Sequence, residues 1–500
     1  MPIDAPLFLL AFLPALLGLF SVCPARAREG LLLVASILFY ALSDVVSLPL
    51  LALSMVWNML VGILIERTSD RFRPLLLALG VGANLMLLAW SKYFIFLLSQ
   101  APGLEPLKTL APASLPLGVS FFTFSAIAYL VDIARGDAKA QTNPVRFGLF
   151  LAFFAKIAAG PISRWRDMYP EDGLAGRPSL EDVRVGLSRL AVGLAKKVLV
   201  AGTLAPMAES AFGEQAGHLD TGTAWLGLVS YALRLYYDFS GYTDMAVGLG
   251  RMFGYRLPEN FNYPYVSQSV REFWRRWHIT LSTWFRDYVY IPLGGGRVAP
   301  WRTQRNLVVV FVLCGLWHGA GWHYVVWGLW HGVFLALERT GLGRTLMRLP
   351  RPLRHGYGLL AVCLGWVLFG AGDLSRAATY FQALLGLGSG SFEYTWMVRV
   401  NREYLVILAV AVLGCTPLVP WLRARLTVLA GLAEPLGHAG AWPGPVEGKG
   451  PGGVGRRRWP SACLNRAADL AAQLLPAALL VLSLLQLAAG THSPFIYAQF

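Results

Sequence analysis

The sequence predicts an all-α polytopic membrane protein, and three observations lead to that prediction. Hydrophobic residues make up 56% and charged residues 14% of the 500 residues, whereas soluble proteins average about 45–50% and about 25%. Mean hydropathy is +0.52. Apolar runs recur along the whole chain, and several approach the roughly 20 residues that a helix needs to cross a bilayer. These runs cover residues 5–22, 29–51, 74–98, 223–237, 306–317, 355–371, 404–422 and 469–490.

The first apolar run, residues 5–22, has a length that suits either a signal peptide or a spanning helix. The segment before it contains Asp4 and no basic residue, and a second apolar run follows almost at once, so we expect a retained span. The five cysteines have no paired spacing and lie mostly in apolar stretches. This favours small buried side chains over a disulfide framework or a zinc site.

The chain carries 43 basic and 28 acidic residues, a net charge of +15. In a soluble protein this excess would suggest nucleic-acid binding, but here the basic residues concentrate in short loops between apolar runs. The positive-inside rule therefore places the loops at 26–28, 67–73 and 339–354 in the cytoplasm. Residues 99–112 and 373–403 are then periplasmic, and so are both termini. We expect the lipid bilayer, and no nucleic acid, as a partner.

We expect residues 1–500 to form one multi-pass membrane domain. Residues 355–490 should contain C-terminal spanning helices, with a flexible cytoplasmic loop at 432–461 because that stretch is rich in Gly and Pro. The middle of the chain is less regular, since 116–165 and 238–300 mix apolar residues with Gly, Pro, Asn and charges. Such backbone is tolerated at membrane depth only where protein buries it or where it lines a water-filled cavity. A central cavity is therefore expected.

An aromatic and basic segment covers residues 273–295, FWRRWHITLSTWFRDYVYIPLGG. Its mixture of Trp, Tyr and Arg is typical of a helix at the headgroup level, so one interpretation is an interfacial anchor. The other interpretation places His278 at the cytoplasmic mouth of the cavity. There, Arg275 and Arg276 would bind an anionic substrate such as a phosphate-bearing coenzyme.

A second segment, GLWHGAGWHYVVWGLWHG, covers residues 315–332. Its two apolar arms, 306–320 and 323–338, each correspond to about 15 residues or about 22 Å of helix, which is short of a full crossing. We expect a re-entrant hairpin from the cytoplasmic side with His318 at its tip. An ionisable residue at that depth is a candidate functional residue. The alternative is a neutral structural histidine that is hydrogen-bonded to a neighbouring helix.

Two further chemistries are possible around His318. His323 and His331 lie nearby, but their spacing matches no known ligand set and no carboxylate joins them, so no metal is expected. Cys314 precedes His318 by one helical turn, which makes a Cys–His nucleophile geometrically possible. A buried apolar cysteine is usually inert, however.

Two acidic residues, Asp238 and Asp244, flank Ser240-Gly241 in an apolar helical stretch. They are either part of a proton or ion relay or are paired with Arg234, Arg251 or backbone amides to hold helices together. We favour the structural pairing.

Six segments occur in a fixed order: PLGVSFFTF (116–124), FFAKIAAGPISR (153–164), DFSGYTDMAVGLG (238–250), NFNYPY (260–265), FWRRWHITLSTWFRDYVYIPLGG (273–295) and GLWHG (315–319). In this order they resemble the membrane-bound O-acyltransferase (MBOAT) family. The resemblance is greatest to its bacterial branch for O-acetylation of exopolysaccharides such as alginate. It covers roughly residues 30–340, and the terminal SPFIYAQF also resembles this branch.

The resemblance implies that His318 is the catalytic residue and that His278 is the second candidate. It also implies a helical bundle around a funnel or tunnel, with a cytoplasmic acyl thioester such as acetyl-CoA as donor substrate and no bound cofactor or metal. An acetyl group would cross the bacterial inner membrane to an exopolysaccharide, directly or through a periplasmic acetyltransferase. Two alternatives remain: D-alanyl transfer to teichoic acid, as in a related branch, and a non-enzymatic transporter or channel.

Overall fold

The computed structural model describes residues 1–100, 105–112, 114–170, 178–213, 218–388, 390, 396–429 and 459–490. All regular secondary structure in these residues is helical, which confirms the predicted all-α class. Most of the predicted loop 432–461 lies outside the described residues, and so do the terminal SPFIYAQF segment and part of 99–112.

Helices follow one another along the described residues, and some of them are extended by short segments of another helix type. Short π-helical segments at Phe8–Phe12, Lys196–Ala201 and Arg286–Tyr290 extend neighbouring α-helices. The α-helices are, in order, α1 Leu13–Val22, α2 Arg28–Asp44, α3 Leu48–Arg67, α4 Arg73–Ser99, α5 Val119–Arg135, α6 Pro144–Ala152, α7 Trp165–Met168, α8 Leu180–Ala195, α9 Gly202–Phe212, α10 Thr221–Met252, α11 Val270–Arg276, α12 Ile279–Phe285, α13 Pro300–His318, α14 Trp322–Glu338, α15 Gly341–Arg348, α16 Arg351–Gly370, α17 Leu374–Leu384, α18 Trp396–Arg399, α19 Arg402–Gly414, α20 Leu418–Leu429 and α21 Trp459–Ala488.

Four helical stretches among the described residues are long and apolar enough to cross a membrane: Leu48–Arg67, Arg73–Ser99, Leu180–Phe212 and Arg351–Gly370. Large apolar side chains on the outer helices point away from the protein, such as Leu53 at 64% and Met86 at 72% exposure. Lipid acyl chains are the surroundings that suit such a surface. The structure therefore fits the predicted multi-pass membrane protein.

The apolar run at 29–51 is divided between two helices. α2 ends at Asp44 and α3 begins at Leu48. The Asp44 carboxylate explains the break, because it accepts hydrogen bonds from the backbone N–H of Ser47 at 3.1 Å and of Leu117 at 3.0 Å. The turn is thereby tied to the chain just before α5.

The apolar runs singled out in the sequence do not include the long helical stretch Leu180–Phe212, which comprises α8, a π-helical segment and α9. Charged residues in its middle, including Lys196 and Lys197, obscure the apolar run. These lysines face α10, where Lys196 Nζ lies 2.6 Å from Asp244 and Lys197 Nζ lies 2.6 Å from Asp238. Pairing inside the protein removes the cost that unpaired charges would have in an apolar environment.

Asp238 and Asp244 are thus paired inside the protein, as the structural interpretation predicts, and they pair with two lysines that the prediction did not include. The predicted partners, Arg234 and Arg251, bind other acids: Arg234 pairs with Glu209 at 2.8 Å and Arg251 with Asp182 at 3.2 Å. Periodicity within one helix could not reveal this, because the basic partners of Asp238 and Asp244 come from the neighbouring helical stretch.

Glycines allow α8 and α10 to pack with their backbones in contact. An ideal Cβ on Gly186 would lie 2.6 Å from the carbonyl oxygen of Gly248, and one on Gly193 would lie 2.5 Å from that of Gly241. The order of these contacts makes the two helices antiparallel. Small residues are the usual means of close helix approach in membranes. α10, buried along most of its length, is the centre of the bundle.

We expect Gly193→Ala to destabilise the protein by about 1–3 kcal/mol, because the added methyl group would overpack the contact with Gly241. Gly202→Ala, at the start of α9, is the matched control, since the nearest atom to its Cβ would be 3.8 Å away. Alanine at that position should stabilise the helix by up to about 1 kcal/mol. Thermal unfolding of the purified protein in detergent measures both variants. Equal effects at the two positions would contradict the close helix contact.

Candidate active site

The helices α13 and α14 form an antiparallel hairpin whose turn covers residues 319–321. α13 has 19 residues and α14 has 17, which correspond to lengths of about 28 Å and about 26 Å. α13 is longer than the sequence predicts, because it begins at Pro300, before the apolar run, whereas α14 agrees with the predicted arm to within one residue. The arms are in close contact, since an ideal Cβ on Gly328 would lie 2.2 Å from the carbonyl oxygen of Phe311.

His318 is the last residue of α13 and lies at the turn of the hairpin, as the sequence predicts. It is 3% exposed. Its imidazole packs edge-on against the rings of Trp317, Trp327 and Phe369, with centroid distances of 4.9, 5.0 and 5.2 Å. The position of this imidazole is therefore determined by aromatic packing on several sides.

Lys92 in α4, which belongs to none of the sequence motifs, contacts the same end of α13. Its ammonium group donates hydrogen bonds to the main-chain carbonyl oxygens of Trp317 and His318, both at 2.7 Å. The last carbonyl groups of a helix have no partner within the helix and carry the negative end of its dipole. Lys92 therefore holds the backbone of His318 in place and leaves the imidazole to its own contacts.

His278 lies between α11 and α12 and is fully buried. Its backbone is left-handed, with φ at 41°, which is uncommon for a residue other than glycine. The Nδ1 atom lies 3.3 Å from the side-chain oxygen of Asn260. Within the described part of the chain, Nε2 has no hydrogen-bond partner.

The indole of Trp317 brings the two histidines together. Its ring centroid is 5.9 Å from that of His278 and 4.9 Å from that of His318. The two histidines that the sequence analysis selected from different motifs thus lie at one site. Phe121 and Phe124, from the earlier PLGVSFFTF motif, also pack against Trp317, with centroid distances of 5.5 and 5.6 Å.

The two arginines that we predicted to bind the donor occupy the last turn of α11. Arg276 is already engaged, since it pairs with Glu272 at 2.9 Å and donates to the carbonyl oxygen of Asn262 at 3.1 Å. Arg275 is exposed. α11 is anchored to the histidine hairpin at its other end, because the buried Glu338 of α14 accepts the backbone N–H of Val270 at 2.7 Å.

Comparison with known proteins identifies the family. The model of the membrane-bound O-acyltransferase family, MBOAT, matches residues 131–359. The chain is 40% identical to the probable alginate O-acetylase AlgI of Pseudomonas putida, with 100% of each chain covered. The chain belongs to the membrane-bound O-acyltransferase family.

Two other relatives differ in how much of the chain they match. The peptidoglycan O-acetyltransferase of Helicobacter pylori is 37% identical over 78% of this chain and 80% of its own length. The teichoic acid D-alanyltransferase of Bacillus subtilis is 28% identical over 51% of this chain and 66% of its own length. These relatives and the family model identify the protein as an O-acyltransferase, so the transporter or channel alternative is set aside.

The hairpin carries two further histidines, and one of them, His331, shares the indole of Trp327 with His318. His331 is buried between Trp274 and Trp327, with centroid distances of 5.1 and 5.2 Å. His323 contacts Tyr324 at the other side of the turn. Among the described residues, no group of three or more His, Cys, Asp or Glu side chains is arranged to hold a metal ion.

The sequence did contain a signal for Lys92. It is a lone cation within the apolar stretch 74–98, and an isolated charge in a spanning helix is a candidate functional residue. Asn260 carried a weaker signal, because the NFNYPY motif supported the family resemblance without suggesting a role for any of its residues. Contacts between distant segments were needed to connect either residue to the histidines.

We expect Lys92→Met to lower acyltransfer because the carbonyl oxygens of Trp317 and His318 lose their donor, a loss that costs about 1–3 kcal/mol per buried group. Lys139→Met is the matched control, since Lys139 is exposed. Both variants would be assayed in membranes at equal protein amount. Wild-type activity in Lys92→Met would contradict a role for Lys92 in holding the end of α13.

Proposed function

We propose that this O-acyltransferase moves an acetyl group from a cytoplasmic thioester donor, such as acetyl-CoA, across the bacterial inner membrane. The acceptor is an exopolysaccharide such as alginate, reached directly or through a periplasmic acetyltransferase. Similarity over the whole chain to a protein named as a probable alginate O-acetylase supports acetyl as the transferred group and a polysaccharide as the acceptor. The observation that carries the mechanism is that His318 and His278 both pack against Trp317.

In this mechanism His318 acts as a general base on the accepting hydroxyl group. The hydroxyl oxygen attacks the carbonyl carbon of the thioester, a C–O bond forms, and the C–S bond breaks. The hydroxyl proton passes to the imidazole and then to the departing thiolate, so the reaction needs no further reactant. General-base catalysis of this kind typically contributes about 10²–10⁴ in rate. His278 positions the donor or shares the proton transfer.

The proposed architecture gives the donor and the acceptor access to the histidines from the two sides of the membrane. The chain forms a single membrane domain, with a core at about residues 30–340 and a funnel or tunnel that leads to the histidines. The hairpin of α13 and α14 is re-entrant from the cytoplasmic side. Basic loops such as 339–354 support a cytoplasmic orientation for its base, with both termini in the periplasm.

D-alanyl transfer to teichoic acid is the second candidate function. The teichoic acid D-alanyltransferase of Bacillus subtilis supports it, because this chain is 28% identical to that protein over the part that matches. That similarity covers only 51% of this chain, however, whereas the similarity to the probable alginate O-acetylase covers 100%. We therefore favour acetyl transfer.

We expect His318→Ala to lower polymer acetylation by about 10²-fold or more while the protein accumulates in the membrane at a near-normal level. The backbone contacts of Lys92 do not depend on the imidazole, so the end of α13 should keep its position. Cys314→Ala is the control and should remain active. The measurements are acetyl ester content of the polymer and immunoblotting of membranes.

A different result would identify a different chemistry. If Cys314→Ala abolished activity in a well-folded protein while His318→Ala only weakened it, a covalent cysteine route would replace the general base. If His318→Ala failed to accumulate, the structural interpretation of this histidine would be favoured.

We expect the double variant Arg275→Ala, Arg276→Ala to raise the KM for the thioester donor with little change in kcat, because arginines bind anionic groups through charge-assisted hydrogen bonds. Arg302→Ala is the control, since Arg302 is an exposed arginine at the start of α13. Initial rates in reconstituted membranes, measured against donor concentration, separate KM from kcat. An unchanged KM would leave only the lipid-anchor interpretation of these arginines.

A further inference from the structure

We propose that Asn260 is a positioning residue that fixes the tautomer of His278, so that Nε2 of this imidazole can share with His318 the hydroxyl proton that is released during acyl transfer and passes on to the departing thiolate. The proposal rests on the proposed function and makes the role of His278 more specific. Asn260 is 1% exposed and comes from the NFNYPY motif.

The orientation of the Asn260 amide group is determined by its neighbours. Its side-chain oxygen accepts a hydrogen bond from the backbone N–H of Thr280 at 3.1 Å, and that group is always a donor. The Thr280 hydroxyl lies 2.7 Å from the same oxygen. This hydroxyl already accepts the backbone N–H of Ile162 at 3.1 Å, so its own proton is directed toward Asn260. The amide oxygen, and not the nitrogen, therefore faces His278.

An amide oxygen can only accept hydrogen bonds. The Nδ1 atom of His278 lies 3.3 Å from this oxygen, so Nδ1 must carry the proton. In a neutral imidazole the other nitrogen, Nε2, then has the lone pair. Nε2 makes no hydrogen bond to any residue that the structure describes. Nε2 can thus accept a proton. It can donate a proton only after it has accepted one.

Backbone hydrogen bonds hold His278 in this orientation, although its left-handed backbone conformation is unfavourable. Asn260 accepts the backbone N–H of Ile279 through its own carbonyl oxygen at 2.9 Å, and Asn262 donates to the carbonyl oxygen of Arg276 at 2.9 Å. These bonds bracket His278, whose φ of 41° lies in the left-handed region. Such a backbone costs about 1–3 kcal/mol and persists only where the surroundings impose it. The NFNYPY segment therefore imposes both the backbone and the ring orientation of His278.

Two roles for His278 were open: positioning the donor and sharing the proton transfer. A lone pair on Nε2 favours the second role, because a cation such as Arg275 is the better group for an anionic donor. The titratable group that faces His278 across Trp317 is His318, and Lys92 lies on the indole with its ammonium 5.8 Å from the ring centroid. Neither residue changes in the Asn260 variants below.

The test compares Asn260→Leu and Asn260→Asp in the full-length protein in membranes. Leucine has a similar size but no acceptor, so we expect kcat to fall about 10²-fold or more with little change in the KM for the thioester, because the wrong tautomer becomes accessible. Aspartate keeps the acceptor and should restore much of the activity. Its negative charge favours the imidazolium form, so the acidic limb of the kcat–pH profile should move to higher pH.

Asn58→Leu is the structural control. Asn58 is also a buried asparagine, and its amide group exchanges hydrogen bonds with Asn84 of α4 at 3.2 and 2.7 Å, so kcat per folded protein and the pH profile should remain close to those of the wild type. If Asn260→Leu lowered activity only in proportion to the amount of folded protein, Asn260 would have a structural role alone. An unchanged pH profile in Asn260→Asp would also overturn the proposal.

His278→Ala separates this inference from the proposed function. If His278→Ala and His318→Ala both retained acetylation, the proposed function of the histidine pair would fail. If both were inactive while Asn260→Leu resembled the wild type, only the role of Asn260 would fail.

Discussion

A charge that is buried in an apolar environment must meet an opposite charge or unpaired backbone groups, and this constraint determines how the helices of the protein are arranged. Lys197 joins α8 and its π-helical extension to Asp238 of the central helix α10. Lys92 joins α4 to the end of α13. Glu338 joins α14 to the start of α11. Each contact links a helix to a partner distant in sequence, and the last two position the histidine hairpin.

The fold class could be predicted from the sequence because hydropathy is a property of short segments. The stretch Leu180–Phe212 was missed for the same reason. A hydropathy window counts Lys196 and Lys197 as costs, and it contains no information about Asp244 and Asp238, which neutralise them. The division between α2 and α3 also depends on a contact between residues that are distant in sequence, that of Asp44 with Leu117. Local composition predicted the fold class, whereas pairing between residues distant in sequence determined the helix boundaries.

The candidate site was also predicted only in part: its residues could be identified from the sequence, but the contacts between them could not. The motifs identified His318 and His278 separately, since each is an ionisable residue in an apolar or aromatic segment. The sequence did not show that one indole contacts both imidazoles. It also did not reveal Asn260 as the neighbour of His278, because their contact depends on a left-handed backbone at His278. A turn of this kind is common for glycine and is not predicted by the properties of histidine.

The aromatic surroundings of the two histidines limit the chemistry that the site can perform. Trp317, Trp327 and Phe369 offer the His318 imidazole contacts but little solvation for a lasting positive charge. Two imidazolium groups on the same indole would repel each other in addition. The pair therefore favours a reaction in which a proton is taken up and released within one turnover. The acyl transfer from a thioester that we propose would meet this requirement, because the hydroxyl proton that enters the site would leave with the thiolate and the site would return to neutrality.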